Sequence, residues 1–516
     1  MTTQGVIKQG VYFDSVTLMN VARRITALEG IGDASVVMGT RENKTILESA
    51  GLFVSDFSDA TDTDLLISVK AENEDFARQA LDLVDTALKD VSVSADGRKS
   101  DTVRSLKDAV ERLEGANLVL ISIAGRYAAA EAQKALDQGL HVMLFSDNVA
   151  IEDEKRLKEE ARDRGLLFMG PDCGTAIING IPLAFANAVK RGNIGLVGAS
   201  GTGLQEVSCI ISNLGGGISQ ALGTGGRDVK KEIGGIMFLE AMKALFDDDQ
   251  TQCIVLISKP PDKEVLDLIA KEISLTDKPV VGMFIGADPE TVARAGALPA
   301  GSLEEAALLA VQLSMGKPVE DVQAILQDFH SEVGSLAEKF SPGVKGRYVR
   351  GLFSGGTLCH EAQLILKEYI GKVYSNVPLS PDYYLTPDHK GHFHTLIDMG
   401  DDAFTAGRPH PMIDFSQRCK RIQEEAKDPE TAIILFDVVL GYGAHASPLD
   451  ELLPALAAAH EHSPDLLFIC SVTGTDEDPQ DRQAVIESLR DSGVIVMMSN
   501  YSAALLTGHI IKNITS

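Results

Sequence analysis

A short apolar run, a glycine or polar turn and then an amphipathic helix recur along most of this sequence. Leu118 to Ile123 (LVLISI) precedes the helical pattern Arg126 to Gln138, and Val142 to Phe145 (VMLF) precedes Ile151 to Gly165. Ile194 to Val197 (IGLV) precedes Gly203 to Leu214, and Cys253 to Ile257 (CIVLI) precedes Lys263 to Ile273. Strands that are apolar throughout, without the alternation of a half-exposed sheet, are buried on both faces. The pattern therefore predicts an α/β fold of doubly wound parallel sheets. A content of 47 Gly, no Trp and 5% aromatic residues suits small βα units joined by glycine turns.

Four units follow from the spacing. Residues 1–100 read as a small N-terminal α/β unit, with strands near Val6 to Tyr12, Ala34 to Met38 and Leu65 to Val69 and helices near Ser15 to Leu28 and Asp75 to Leu88. Residues 101–190 read as a second α/β unit and 191–327 as a third. Residues 328–345, with Gly and Pro and little apolar content, read as a linker before a fourth unit, 346–516. The fourth looks like a copy of the third. Ile194 to Glu206 (IGLVGASGTGLQE) parallels Arg350 to Glu361 (RGLFSGGTLCHE), Asp248 to Ile257 parallels Asp428 to Phe436, and Pro279 to Ile285 parallels Leu466 to Val472. Such a duplication implies two similar doubly wound domains facing each other, with sites at the carboxyl ends of their strands.

Charge and cysteine usage narrow the function classes. With 47 Lys+Arg against 74 Asp+Glu the net charge is −27, and no basic stretch is present to neutralise phosphates, so nucleic acid is not an expected partner. A local anion site is compatible with that surface. No run of 18 apolar residues occurs and the N-terminus lacks a signal-type core, so the expectation is a cytoplasmic protein that does not enter a membrane. The six cysteines are scattered without a CxxC pair, as in reduced proteins. His389, His392 and His394 (HKGHFH) have poor ligand spacing, and no metal site is expected.

The most informative loop is Gly198 to Glu206 (GASGTGLQE), which follows an apolar strand and opens a helix. Gly198, Gly201 and Gly203 let backbone approach an anion, Ser200 and Thr202 add hydroxyls, and the helix start offers unpaired N–H groups. A P-loop lysine is absent. The repeat counterpart carries Gly355, Gly356 and Thr357, with His360 in the helix that follows. A third glycine turn, Gly223 to Asp228 (GTGGRD), holds Gly225, Gly226 and Arg227; the arginine either clamps an anion or pairs with Asp228. Cys173 in Gly170 to Thr175 (GPDCGT) has no histidine within the segment and reads as structural. The loop Ile397 to Asp414 concentrates Asp398, Asp401, Asp402, Arg408, His410 and Asp414.

Phe13 to Met19 (FDSVTLM), Met38 to Thr40 (MGT), Leu144 to Val149 (LFSDNV), GPDCGT, GASGTG, GTGGRD and Gly407 to Asp414 (GRPHPMID) occur in that order. With these motifs the chain resembles the FdrA family of succinyl-CoA-ligase-like proteins over essentially its whole length. Asp101 to Leu313 is more distantly similar to the α subunit of the ADP- or GDP-forming succinyl-CoA ligases. The resemblance implies a CoA-binding-type Rossmann domain at 101–190 and two flavodoxin-like ligase-type domains. In those ligases a GHAGA histidine carries phosphate, a glutamate after a buried strand orients it, and an SGT turn binds the phosphoryl oxygens. Ser200, Gly201 and Thr202 match the turn, but Ala293 to Ala297 (ARAGA) puts Arg294 at the histidine position, and Lys259 stands where the glutamate is expected. A guanidinium cannot relay a phosphoryl group, so the altered site suits holding anions rather than phosphohistidine chemistry.

The resemblance further implies a carbamoyl transfer between a small acid of the oxamate and oxalurate type and phosphate, in purine or allantoin nitrogen catabolism, together with companion subunits in an oligomer. Ser200, Arg227, Lys259 and Arg294 are the expected catalytic residues on this reading. The first alternative is an acyl-CoA synthetase that uses coenzyme A and a nucleotide and employs His360, His410 or His445, the last in Leu440 to Pro448 (LGYGAHASP). The second is a sensing or scaffold subunit without turnover.

Overall fold

The computed structural model describes residues 2–515 apart from 12, 14, 27, 96–102, 104, 387–389 and 406–408. Two units separate: Met1–Ala109 with Asp402–Pro409, and Val110–Asp401 with His410–Ser516.

The first unit runs β1 (Thr2–Lys8), α1 (Ser15–Thr26), β2 (Ile31–Met38), α2 (Arg41–Ser49), β3 (Leu65–Ala71) and α3 (Glu74–Ala95). Its sheet has the order β1-β3-β2 and is antiparallel throughout, unlike the rest of the chain. Alternation along β3 explains the layers. Leu65, Ile67 and Val69 face Val21 and Ile25 of α1 and Ala77 and Ala80 of α3, while Leu66 packs with Leu47, Leu52 and Phe57.

After α4 (Leu106–Arg112), the second unit begins with β4 (Leu118–Ile121), α5 (Gly125–Asp137), β5 (His141–Leu144), α6 (Ile151–Asp163) and β6 (Phe168–Met169), three parallel strands in sequence order. A hairpin follows, β7 (Thr175–Ile178) and β8 (Ile181–Ala184), turned by Asn179 and Gly180 at φ 52° and 80°. Asn-Gly is the pair that tolerates two successive left-handed residues, as a tight hairpin requires.

The next sheet is built from β9 (Arg191–Gly198), α7 (Gly201–Asn213), β10 (Ile218–Gly223), α8 (Ile236–Asp247), β11 (Cys253–Ser258), α9 (Lys263–Ile273), β12 (Val280–Phe284), α10 (Pro289–Arg294), β13 (Leu298–Pro299) and α11 (Leu303–Ser314). Its order is β13-β12-β11-β9-β10, with the β7–β8 hairpin on the β10 edge. Then comes α12 (Glu320–Phe340). The last sheet uses β14 (Tyr348–Phe353), α13 (Gly356–Ile370), β15 (Thr395–Asp398), the short α14 (Asp402–Thr405), α15 (Ser416–Glu425), β16 (Thr431–Val439), α16 (Pro448–His462), β17 (Leu467–Thr473), α17 (Arg482–Asp491), β18 (Ile495–Met497) and α18 (Asn500–Thr515). Its order is β15-β14-β16-β17-β18. Counted from the first strand of each, both sets read 2-1-3-4-5, the flavodoxin-like winding, and every pairing within them is parallel. The switch points, where strand order reverses, fall between β9 and β11 and between β14 and β16.

One expectation fails. Residues 328–345, read as a linker, are mostly the second half of α12, whose Val322, Val333 and Ala337 are fully buried in the core shared with α18. These three lie on one helical stripe, and so few apolar positions in a polar helix gave the segment its linker-like composition.

Candidate active site

The two switch points supply one site. Helix α7 begins after β9 with Ser200 as N-cap, its Oγ accepting the Gly203 N–H at 3.1 Å. Helix α13 begins after β14 with Gly355 as N-cap. The two helix starts meet head to head. Ser200 Oγ lies 2.6 Å from Thr357 Oγ1, and a Cβ on Gly355 would lie 2.8 Å from Thr202 Cγ2. Counting from each N-cap, Ser200 corresponds to Gly355 and Thr202 to Thr357, so these two contacts exchange under a pseudo-two-fold axis between the helices. The first turns of both helices, each with about half a positive charge at the helix end, therefore adjoin. Paired helix starts of this kind are a candidate cradle for a tetrahedral or planar anion. Gly198 and Gly203 close the first turn, since a Cβ would meet Leu204 at 2.6 Å in the first case and Ser200 Oγ at 2.5 Å in the second. Gly201 sits in ordinary contact with Thr175.

A second pair of contacts obeys the same axis and holds the helices in place. Six residues past each N-cap stands a buried glutamate, Glu206 on α7 and Glu361 on α13. Glu206 Oε1 accepts the N–H of Asn500, the first residue of α18, at 2.9 Å. Glu361 Oε1 accepts the N–H of Leu303, the first residue of α11, at 2.8 Å. Each half thus caps the last helix of the other. Thr473 Oγ1 donates to Glu206 and Asn500 Nδ2 to Glu361 at 2.7 Å. Burial pushes the Glu361 carboxyl up to about 7 against those donors, and raises Glu206 as well. Glu304 on α11, bonded by Ser499 Oγ at 2.6 Å, is likewise pushed up to about 7 by burial.

Most titratable groups around the cradle come from the second half. Asp437 in β16 accepts Ser354 N (2.8 Å), Ser354 Oγ (2.7 Å) and Gly355 N (2.9 Å), and its Oδ1 pairs with fully buried Arg418 of α15 at 2.7 Å. Arg418 stacks over Phe415 at 4.1 Å. Asp398 ends β15, held by Asn376, which donates to its carbonyl and accepts from its N–H, both at 2.9 Å. Its Oδ2 lies 2.6 Å from where a Cβ on Gly356 would be. His410 Nε2 and Asp398 Oδ1 stand 2.9 and 3.2 Å from the Cβ position of Gly400, so only a glycine fits between them. Burial, and then the Arg418 charge, push His410 down to about 4. Lys259, directly after β11, projects its charge onto both His360, which burial and Lys259 push down to about 4, and Asp398.

The other expected residues go elsewhere. Arg227 pairs with Glu154 at 2.8 Å and donates to Val149 O at 2.9 Å, because Asp228 is taken by fully buried Lys158 (2.7 Å), which also bonds Glu154 (2.8 Å) and Thr224 O (3.0 Å). Gly225, at φ +84°, packs where a Cβ would lie 2.2 Å from Pro171 O, while Gly226 stands at ordinary contact distance from Ala199. The turn is a structural clasp on the GPDCGT loop, and this corrects its reading as an anion clamp. Arg294 is exposed at the end of α10 and bonded to its own helix, at Glu290 O (3.3 Å) and Thr291 Oγ1 (3.0 Å), so it does not take a phosphohistidine's place. Of the histidine alternatives, His445 is engaged: its Nε2 meets Glu451 at 3.1 Å and its Nδ1 accepts Ser447 N at 3.0 Å. Cys173 is buried, with burial pushing its thiol up to about 12. Arg408 and His389 lie outside the described residues. The sequence reading missed Asp437, Arg418, Glu206 and Glu361; an Asp inside the apolar run Ile433 to Leu440 (IILFDVVL) was the available signal for the first.

Comparison with known proteins places this geometry. The chain is 42% identical over 520 residues to the uncharacterized protein YahF of Escherichia coli (strain K12), covering 99% of both chains. The chain belongs to the FdrA family of succinyl-CoA-ligase-like proteins. Within this FdrA-family protein, residues 352–510 match the CoA-ligase family and residues 189–285 the CoA binding domain, the latter on the β9–β12 segment rather than at 101–190. Residues 1–104 match the family described as AllF, heavy metal-associated domain. That stretch contains neither Cys nor His, so it has no thiolate or imidazole to offer a soft metal. The α subunit 2 of the ADP-forming succinate–CoA ligase of Archaeoglobus fulgidus is 29% identical over 238 residues, covering 43% of this chain and 80% of that one. Among solved structures, PH0766 from Pyrococcus horikoshii OT3 superposes with a TM-score of 0.34 at 14% identity over 81% of this chain and 88% of that one, too slight a likeness to bear on the fold. No helix of the described residues is long and apolar enough to cross a membrane.

The family matches raise coenzyme A, whose diphosphate is held by cations or by backbone N–H groups at a glycine turn. At the GTGGRD turn, Arg227 and Lys158 are both engaged in internal ion pairs with Glu154 and Asp228, so neither is an unpaired cation for that diphosphate.

Proposed function

We propose that this FdrA-family chain is the phosphate-binding subunit of an enzyme that transfers a carbamoyl group, or a close acyl relative, between a small carboxylate-bearing acid and inorganic phosphate, of the oxamate carbamoyltransferase kind, working with companion subunits. The head-to-head start of α7 and α13, with Ser200 and Thr357 in contact at 2.6 Å, is the observation that supports it. Phosphate sits among the backbone N–H groups of Gly201, Thr202, Gly356 and Thr357, with the hydroxyls of Ser200, Thr202 and Thr357 as further partners. One phosphate oxygen attacks the carbamoyl carbon, the C–N bond to the departing amide breaks, and the same dipoles stabilise the charge that gathers on the carbamoyl oxygen. Lys259 is the cation placed to pair with the substrate carboxylate. No imidazole is needed as a covalent relay.

The CoA-ligase and CoA-binding family matches favour a second reading, an acid–CoA ligase that phosphorylates one of the neutral histidines, His360 or His410. The deciding assay supplies oxalurate and phosphate to the protein with its companion subunits and measures carbamoyl phosphate. The expected result is product that falls at least tenfold in a Ser200→Ala, Thr357→Val variant. Acid-labile label on histidine from γ-labelled ATP, together with acyl-CoA product and no carbamoyl phosphate, would replace this reading with the ligase.

A further inference from the structure

Carbamoyl transfer to phosphate has a proton to place. The departing amide nitrogen cannot leave as an anion in water near neutral pH, so a group beside the cradle has to hand it one. The helix starts themselves offer only N–H and hydroxyl groups. Among the described residues, one carboxyl borders the cradle with an oxygen left over. Asp398 is 8% exposed; its Oδ1 accepts the Gly400 N–H at 2.9 Å, whereas Oδ2 takes no hydrogen bond and lies against the first residue of α13, 2.6 Å from the Cβ position of Gly356. A carboxyl oxygen that takes no hydrogen bond, on a residue only 8% exposed and against the first residue of a 15-residue helix, is poised toward whatever that helix start binds.

We propose that Asp398 is the proton carrier of the transfer, giving its carboxyl proton to the leaving nitrogen and recovering one from hydrogen phosphate. The assignment rests on the transfer reading above. Hydrogen phosphate arrives with one proton. As its oxygen bonds to the carbamoyl carbon, the C–N bond breaks with its electron pair on nitrogen, and Asp398 Oδ2–H protonates that nitrogen. The proton left on the former hydrogen phosphate then returns to Asp398. With oxalurate the products are carbamoyl phosphate and oxamate, and no other reactant is required.

The surroundings keep this carboxyl in the acid form that the step needs. An ionised Asp398 next to a bound phosphate would repel it, so the cradle and the acid are compatible only when Asp398 is neutral. Burial pushes the carboxyl up to about 7; the charges of Asp401 and Asp437 add to this, and the Gly400 N–H and Lys259 oppose it. The remaining neighbours do not replace it. Asp437 is occupied by Ser354, Gly355 and Arg418, His410 faces Asp398 across Gly400 as a neutral ring, and burial pushes the Cys359 thiol, which feels the Asp398 charge, well up.

The test compares two carbamoyl donors in the protein with its companion subunits: oxalurate, whose nitrogen must be protonated, and 4-nitrophenyl carbamate, whose leaving group departs as a stable anion. With oxalurate, kcat/KM of the wild type should fall above about pH 7, and Asp398→Asn should lower it by about 10²-fold and remove that alkaline limb. With 4-nitrophenyl carbamate, and with phosphate held saturating at every pH for both donors so that its repulsion by an ionised Asp398 does not register, the limb should be absent in the wild type, and Asp398→Asn should stay within about threefold of it. Three results would overturn the assignment: an alkaline limb of equal size with both donors, an Asn variant that keeps its activity and limb on oxalurate, or an equal loss on both donors in a variant that still binds phosphate. The wild-type donor comparison decides the matter even if the variant fails to fold. If the wild type forms carbamoyl phosphate from neither donor, it is the transfer reading itself that falls, and the Asp398 assignment goes with it.

Discussion

The two flavodoxin-like halves share strand order, helix offsets and a reciprocal pair of glutamates, yet they solve the same local problem differently. Each must satisfy the N–H groups exposed where a strand turns into its first helix. In the first half the answer is local: Ser200 is its own cap, bonding Gly203 N three residues on. In the second half the cap is Gly355, which has no side chain, and Asp437 from the neighbouring strand accepts both Ser354 N and Gly355 N instead. Asp437 in turn needs Arg418, so a buried ion pair stands behind a turn that the first half makes with one hydroxyl. The first half therefore contributes a simple capped turn, and the second contributes its own turn together with Asp398, His410 and Arg418. On the proposed reading one half binds the anion and adds Lys259, and the other surrounds the site with the remaining titratable groups.

The largest expected effect comes from breaking the second half's solution. Asp437→Ala strands the fully buried Arg418 charge and two N–H groups, and should cost about 3–5 kcal/mol in urea unfolding. A cost below about 1 kcal/mol would show that the ion pair does not support the turn. Next comes the framework between the halves, which weakens as pH rises. Glu304 has a folded pKa of about 7 against an ordinary value of 4.5, so its stabilising contribution is complete below about pH 4.5 and is lost as pH rises through 7. Stability should fall by on the order of 3 kcal/mol across that window through this group, and Glu304→Gln should flatten the fall. A profile that is unchanged in the variant would contradict it.

Smaller effects sharpen the contrast. Ser200→Ala removes a local cap and the hydroxyl contact with Thr357 and should cost about 1–2 kcal/mol, under the Asp437 variant in the same unfolding experiment. Arg294→Ala should change stability by less than about 0.5 kcal/mol and leave phosphate affinity unaltered in calorimetry, because the side chain bonds only its own exposed helix. A tenfold loss of phosphate affinity in that variant would restore Arg294 to the site.

The same contrast governs what the sequence discloses. The strand, glycine turn and helix around Ser200 are legible because the contacts that cap and close the turn, Ser200 with Gly203 and Gly198 with Leu204, lie within six residues, and the repeat is legible because it reproduces that signal at Gly355 to Thr357. Asp437 and Arg418 were not, because an Asp in a strand and an Arg in an amphipathic helix acquire meaning only when β16 and α15 are packed together. Glu206 and Glu361 are obscured for the same reason, since their partners Asn500 and Leu303 belong to the opposite half. Arg227 misled in the other direction: a cation beside glycines invites an anion, but Glu154, more than seventy residues earlier, already occupies it. Short-range motifs predicted where backbone would be exposed, and tertiary packing decided which charges remained to use it.

Everything above depends on two helix starts sharing one anion. Gly355 has an extended backbone, φ −112° and ψ 113°, that valine adopts freely, so Gly355→Val disturbs only the space between the helices, where its Cβ would lie 2.8 Å from Thr202 Cγ2. Titration of inorganic phosphate into the full chain by calorimetry should show one site per chain in the wild type and an affinity at least tenfold weaker in Gly355→Val, with the thermal unfolding of the variant still cooperative. Phosphate bound equally well by the folded variant would contradict the account, as would a wild type that binds none.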